Sequence, residues 1–131
     1  MKKILKFTRN SDGQSLVELA LLLPFLMLLI LGMIEFGWLL NGKITLTSAA
    51  REGARVAVLY DNRTAAEDKV EAAVTNAIRG SSLNNPEIIN IDYNSESVIV
   101  TVKAKINPIV GFFLGTDPVD LKEVKAEMRR E

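Results

Sequence analysis

Cysteine and histidine are both missing from this 131-residue chain. Without cysteine there is no disulfide framework and no thiolate metal site. Without histidine the usual general base and the commonest metal ligand are gone. Net charge is formally zero, so no basic excess points to nucleic acid. No phosphate-binding loop, nucleophile–base pair or metal-ligand spacing is visible. Carboxylates such as Asp92, Glu96 and Asp117 are grouped by no motif. Internal repeats and low-complexity stretches are absent too. The reading is of a chain that is not an enzyme and takes no cofactor or metal. Its length allows one small domain plus an anchor, not two independent cores.

Charge is scarcest between Leu19 and Leu40, where "LALLLPFLMLLILGMIEFGWLL" carries Glu35 alone. At ~1.5 Å per residue this run makes a helix of roughly 33 Å, enough to cross a bilayer core of about 30 Å. A core helix of so small a soluble domain would not be apolar on every face. A cleavable secretion signal would have an apolar region of only ~7–15 residues before a small-x-small site. The run is longer than that, and no such site follows closely. The expectation is a single-pass transmembrane helix over 14–41, tolerating but bent by Pro24.

Orientation follows from the charges on either side. Lys2, Lys3, Lys6 and Arg9 precede the span against Asp12 alone, whereas Glu52 intersperses Lys43, Arg51 and Arg55 after it. The positive-inside bias favours a cytoplasmic N-terminus and an extracytoplasmic domain at 42–131. Trp38, near the outer end, suits the headgroup interface.

Helix formers without proline continue through "GKITLTSAAREGARVAVLY", 42–60, so the membrane helix is expected to extend into the domain. Ala49, Ala50, Gly53, Ala54 and Ala57 gather at spacings of three and four. A face this small admits another element closely, either the chain's own sheet or a neighbouring copy. Glu52 and Arg55, three apart, suit an exposed pair, while Arg51 and Arg55 repel unless acidic partners lie near. They face either solvent or acidic partners, on another subunit or within the domain.

A second helix is expected over "TAAEDKVEAAVTNAIRG". Thr64 and Glu67 form a capping-box pattern, Ala66, Val70, Ala73, Val74 and Ala77 an apolar face, and Gly80 a C-terminal cap. "SSLNNPE" reads as a loop and "IINIDY" as a strand with Ile89, Ile91 and Tyr93 on one face. After a tight connection at "NSES", "VIVTVKAKI" alternates, with Val98, Val100, Val102, Ala104 and Ile106 inward. "VKAEMR" makes the last strand, with Val119 and Leu121 out of phase with it. Between the last two strands, "NPIVGFFLGTDP" either lids the small core or leaves an apolar patch for a partner or the lipid surface. The fold class is α+β: a long transmembrane helix, a second helix and a three-stranded antiparallel sheet.

An ionisable residue at the mouth of the apolar run needs a reason. A carboxylate at a helix centre in lipid costs about 2.5–3.5 kcal/mol, less near an end. Glu18 either reaches the headgroups or meets an opposite charge. It is the fifth residue after Gly13, which closes the basic leader 1–13. The stretch "GQSLVE" resembles the processing signal of type IV prepilins. That resemblance implies cleavage by a prepilin peptidase between Gly13 and Gln14, and a new amine on Gln14. It also implies that Glu18 of one subunit neutralises the amine of a neighbour, offsetting the desolvation of both.

A wider resemblance joins "GQSLVELALLLPFLMLLILGMIEFGWLL" to "LTSAAREGARVAVL", from Gly13 to about Leu59. The chain is similar to the TadE-like family, minor pilins or pseudopilins of the tight adherence (Tad, Flp-type) pilus machinery. "AEMRRE" also looks like that family's final strand. The resemblance implies a pilin-like membrane protein, without catalysis, that joins a pilus assembly and secretion apparatus. Its implied partners are the prepilin peptidase, other pilins or pseudopilins, Tad inner-membrane assembly proteins and the bilayer. Departures are Leu19 where the system's major pilins usually carry tyrosine, Gln14 in place of an apolar residue, and Asp12 before the glycine.

Glu35 belongs to the family pattern as well. Its 17-residue offset from Glu18, at ~100° per residue, sets the two on different faces. It reaches the outer interface or, with Arg51, Glu52, Gly53 and Arg55, contacts another subunit. The rival to the family reading is a generic signal-anchored extracytoplasmic binding domain, in which Gly13 and Glu18 are coincidental.

Overall fold

The computed structural model describes residues 11–130; most of the expected basic leader lies outside them. One helix, α1, runs from Ser11 to Ala57 without interruption, through Pro24. The expected boundary between 41 and 42 is therefore no break in the chain. Cover on the helix begins earlier, at Leu31 and Gly32, and Glu35 is already buried. From Gly13 to Ile30 every residue is exposed, whereas Leu46, Ala49, Ala50, Ala54 and Ala57 are fully buried. The helix ends at Ala57, a few residues earlier than the sequence suggests, in bonds from the amides of Leu59 and Tyr60 to the carbonyls of Val56 and Ala57.

Helix α2 spans Arg63–Ile78. Its N-cap is Asn62, not a capping box built on Thr64: the Asn62 side chain accepts from the Ala65 amide at 2.9 Å. Asparagine is among the best residues for that position, and it begins the helix one residue before Thr64. The buried face is Ala66, Val70, Val74 and Ile78. Ala77 is exposed, and the larger Ile78 takes the place expected for it. Gly80, at φ +80°, closes the helix as expected: Ser81 donates to the Ile78 carbonyl at 2.9 Å across a turn that needs a positive φ there.

Strands β1 (Leu83–Tyr93), β2 (Ser97–Ile106), β3 (Val119–Asp120) and β4 (Val124–Arg129) form an antiparallel sheet. β2 is central. β1 lies along one side, while β3 and β4 pair with successive parts of its other side, so the sheet is three ribbons wide. The two residues of β3 account for the phase change at Val119 and Leu121, which makes four strands of the three expected.

The "SSLNNPE" stretch is not the loop its composition predicts. Most of it belongs to β1, which accommodates Pro86 because β1 is an edge strand and its register shifts between Asn84 and Glu87. A second shift, between Ile88 and Asn90, sends Ile89 outward and turns Ile88 toward the core. Ile91 and Tyr93 face inward as expected. β2 buries Val98, Val100, Val102, Ala104 and Ile106. Both helices pack against one face of this sheet, and the core lies between the layers.

Candidate functional site

Three groups of side chains carry the functional reading, all on or against α1. The first is its N-terminal end. Gly13, Gln14 and Glu18 are exposed on a helix whose surrounding residues are themselves exposed leucines and valines, such as Leu16, Val17 and Leu19. Among the described residues, nothing besides its chain neighbours and the backbone of its own helix lies within 4 Å of where a Cβ on Gly13 would sit. None of the ion pairs among the described residues includes Glu18.

The second group is "AAREGAR". Its small side chains turn into the chain's own domain. A Cβ on Gly53 would stand 2.9 Å from Cγ2 of Val74, 3.3 Å from Val70 and 3.5 Å from Val100. Of the two neighbours expected for this face, α2 and β2 of the same chain fill the space at Gly53. The larger side chains lie on the opposite arc. Arg55 pairs with Glu52 through two bonds, Nη2–Oε1 at 2.7 Å and Nε–Oε2 at 3.1 Å. The hydrogen bond holds the Glu52 carboxyl below its usual value, and the same contact raises the Arg55 guanidinium. Both groups are solvated, so the pair adds little stability. Ile44, Ser48, Arg51, Arg55 and Leu59 follow one another at helical spacing as an exposed stripe.

The third group was not foreseen. Glu35 lies in the apolar run, yet its side chain does not extend toward an outer interface. It is buried, only 3% exposed. Its Oε2 accepts from the backbone amides of Val110 at 3.2 Å and Gly111 at 3.1 Å. These amides belong to the 107–118 segment, which returns along α1 toward the N-terminus. Trp38 secures the same segment higher up, donating from Nε1 to the Asn107 carbonyl at 3.0 Å. At the tip, Phe113 rests on Gly32: a Cβ there would be 3.3 Å from the ring. Gly111, at φ +65°, has no room for a side chain, since its Cβ would fall 2.9 Å from the Gly115 carbonyl oxygen.

The segment is therefore not a lid over the core. Ile109, Phe112, Phe113 and Leu114 are all exposed, and an apolar groove of about 300 Å³ runs between Phe113, Leu114 and the Gly32–Leu39 face of α1. Sequence reasoning had two clues, a carboxyl inside an apolar run and a glycine-bracketed apolar loop. Nothing in their spacing, 76 positions apart, joined them. Among the described residues no group of three carboxylates is placed to hold a metal ion.

Residues 13–55 match the family model for TadE-like proteins. The resemblance read from the sequence is shown over that segment, which coincides with α1 almost to its end and contains Glu18, Glu35 and the whole of "AAREGAR". The TadE-like match associates the chain with the Tad pilus, and the helix within it is long and apolar enough for single-pass membrane anchoring. No match is found among the curated proteins or the solved structures.

Proposed function

We propose that this protein is a membrane-anchored pseudopilin or minor pilin that takes part in assembling a Tad (Flp-type) pilus and secretion apparatus. The observation that carries this reading is the position of Glu18. It is an ionisable side chain on the bare half of a TadE-like helix, with exposed Leu19, Leu21 and Leu22 after it and the polar Gln14 and Ser15 one turn before it. In lipid an unpaired charge is costly, and a positive amine on an adjoining subunit offsets that cost. Cleavage after Gly13 by a prepilin peptidase would create such an amine on Gln14, beside Glu18 of the next copy.

In this scheme the N-terminus is cytoplasmic, α1 crosses the membrane once, and the α+β domain projects outward. The domain positions α1 instead of catalysing a reaction. By burying the small-residue face within the chain, it leaves the Ile44–Leu59 stripe for neighbouring pilins or Tad inner-membrane proteins. The test is the mature N-terminus. Co-expression with a prepilin peptidase removes residues 1–13 and exposes Gln14, and Gly13→Ala blocks or slows the cut. A membrane-bound chain that still begins at Met1 beside an active peptidase contradicts the processing scheme and favours a plain tethered domain.

A further inference from the structure

We infer that the 107–118 segment is a second membrane-contacting element. Latched to α1 by Glu35, it sets Phe112, Phe113 and Leu114 in the acyl chains of the leaflet that faces the domain. The inference rests on the reading of α1 as a membrane helix, and what it adds concerns the domain alone.

Depth is the first argument. Phe113 sits on Gly32, eight positions before the end of the apolar run at Leu40. At ~1.5 Å per residue that is roughly 12 Å below the end of the span. A loop packed on the helix at this level shares the solvent of the helix. If Met33 and Phe36, exposed on α1 at the same height, meet hydrocarbon, so does the tip of the loop. The apolar surface of the loop is continuous with that of the span.

Chemistry is the second argument. From Asn107 to Thr116 the segment has no charged side chain, and charge resumes only at Asp117 and Asp120. Lys103 and Lys105, which face Asp120 at 3.9 and 3.8 Å, and Lys122 lie on the strands and turn beyond, where headgroups would meet them. Ile109, Phe112, Phe113 and Leu114 are between 41% and 62% exposed, an apolar cluster of the kind that marks a contact surface.

The backbone supplies the third argument. A loop entering hydrocarbon must have its polar groups satisfied by protein, because no water is there to pair with them. Glu35 does this for two consecutive amides, and Trp38 does it for the Asn107 carbonyl. In water those groups would need no such help. The Oε2 of the buried carboxyl is thereby accounted for by what it holds, while its Oε1 has no partner among the described residues.

The native chain lacks cysteine, so single cysteines can carry an environment-sensitive fluorophore. The full chain, reconstituted in phosphatidylethanolamine–phosphatidylglycerol vesicles containing doxyl-labelled lipid, is labelled at Phe112→Cys. Met33→Cys serves as the helix control and Ile89→Cys as the sheet control. Acyl-chain quenching at 112 should come within about twofold of that at 33 and well above that at 89, as for an apolar face buried in the acyl boundary. Adding Glu35→Ala should bring the signal at 112 down to the level at 89 while leaving 33 unchanged.

Quenching at 33 but not at 112 would overturn the inference while leaving the membrane helix intact. Quenching at neither would remove the helix reading too. A signal at 112 that is shielded from lipid and crosslinks to a second copy would mean that protein occupies the groove, and would overturn it as well. Unchanged quenching at 112 in Glu35→Ala would refute the latch. Because a label at 112 could itself disturb the loop, hydrogen exchange on the unmodified chain is the second measurement. The amides of Val110 and Gly111 should be protected in vesicles, and rapid exchange at both would contradict the inference.

Discussion

Glu35 and Gly111 lie 76 positions apart and meet through a 3.1 Å hydrogen bond from the Gly111 amide to Oε2, with the Val110 amide 3.2 Å from the same oxygen. Two donors on one buried oxygen make the carboxyl a short brace between helix and loop. Glu35→Ala leaves two amides without their acceptor, at about 1–3 kcal/mol each where burial persists. Glu35→Gln keeps a side-chain oxygen in place as an acceptor. Amide hydrogen exchange should show Val110 and Gly111 unprotected in the alanine variant and partly protected in the glutamine variant. Equal protection in all three forms would mean that the brace does not hold the loop.

Gly53 tests the packing of α1 on its own domain. A methyl group there meets Val74 Cγ2 at 2.9 Å and Val70 at 3.3 Å, inside a core already filled. Such overpacking costs about 1–3 kcal/mol. Gly53→Ala should therefore lower the domain's unfolding free energy in detergent by about that amount. Ser48→Ala, on the exposed arc of the same helix, should change it by less than about 0.5 kcal/mol. If Gly53→Ala leaves stability intact but disrupts co-assembly, the glycine serves a neighbour instead of its own domain.

How much of this could be read from the sequence depends on the range of the signal. The apolar run, the alternation of β2 and the glycine at position 80 each act over a few residues, and each was legible. The helix face of α2 was legible except at its end, where Ile78 and Ala77 are adjacent and burial prefers the larger side chain. β1 was cut short because Asn84, Asn85 and Pro86 have loop propensities. Pairing with β2 at the sheet edge overrides them, and Asn85 takes φ +48° to do so. For the candidate site, Glu18 and Gly13 stood out because their spacing is local. The role of Glu35 was hidden, because its partners are backbone amides, which have no sequence signature.

Tyr93 gives a dependence on pH. Its hydroxyl donates to the Ala57 carbonyl at 3.2 Å, closing β1 onto the end of α1. Burial pushes the phenol above its ordinary value of 10; the nearby Arg130 opposes this and Asp61 adds to it. Above pH 10 the unfolded chain therefore releases this proton before the folded chain does, and the folded state binds more protons. Stability from this group is intact below the ordinary value and falls as pH rises through it toward the folded value. Chemical denaturation should show an alkaline loss of stability that is shallower in Tyr93→Phe. That variant should also be about 1 kcal/mol less stable at neutral pH, through the lost hydrogen bond. Identical alkaline limbs would mean that another group governs the loss.

Glu18 remains the residue on which the assembly reading turns. It stands exposed among apolar side chains at the far end of α1 from the domain, so nothing in the folded core depends on it. Glu18→Gln should therefore insert into the membrane as well as the natural chain, since a neutral amide is easier to bring into lipid than a carboxylate. Stability of the domain at 42–131 should be unchanged. On the proposed assembly reading, what it removes is the counter-charge for an adjoining subunit's Gln14 amine. Leaving a buried charge unpaired costs about 3–5 kcal/mol, so co-purification with other pilus subunits should fall by more than about tenfold. Blocking cleavage with Gly13→Ala should weaken co-purification in the same way, because the amine is then never formed beside the carboxylate. The double variant should then be no worse than either single one, since both break the same pair. Additive losses would place Glu18 and the new terminus in separate contacts, and undiminished co-purification by Glu18→Gln would reduce Glu18 to a residue reaching for headgroups.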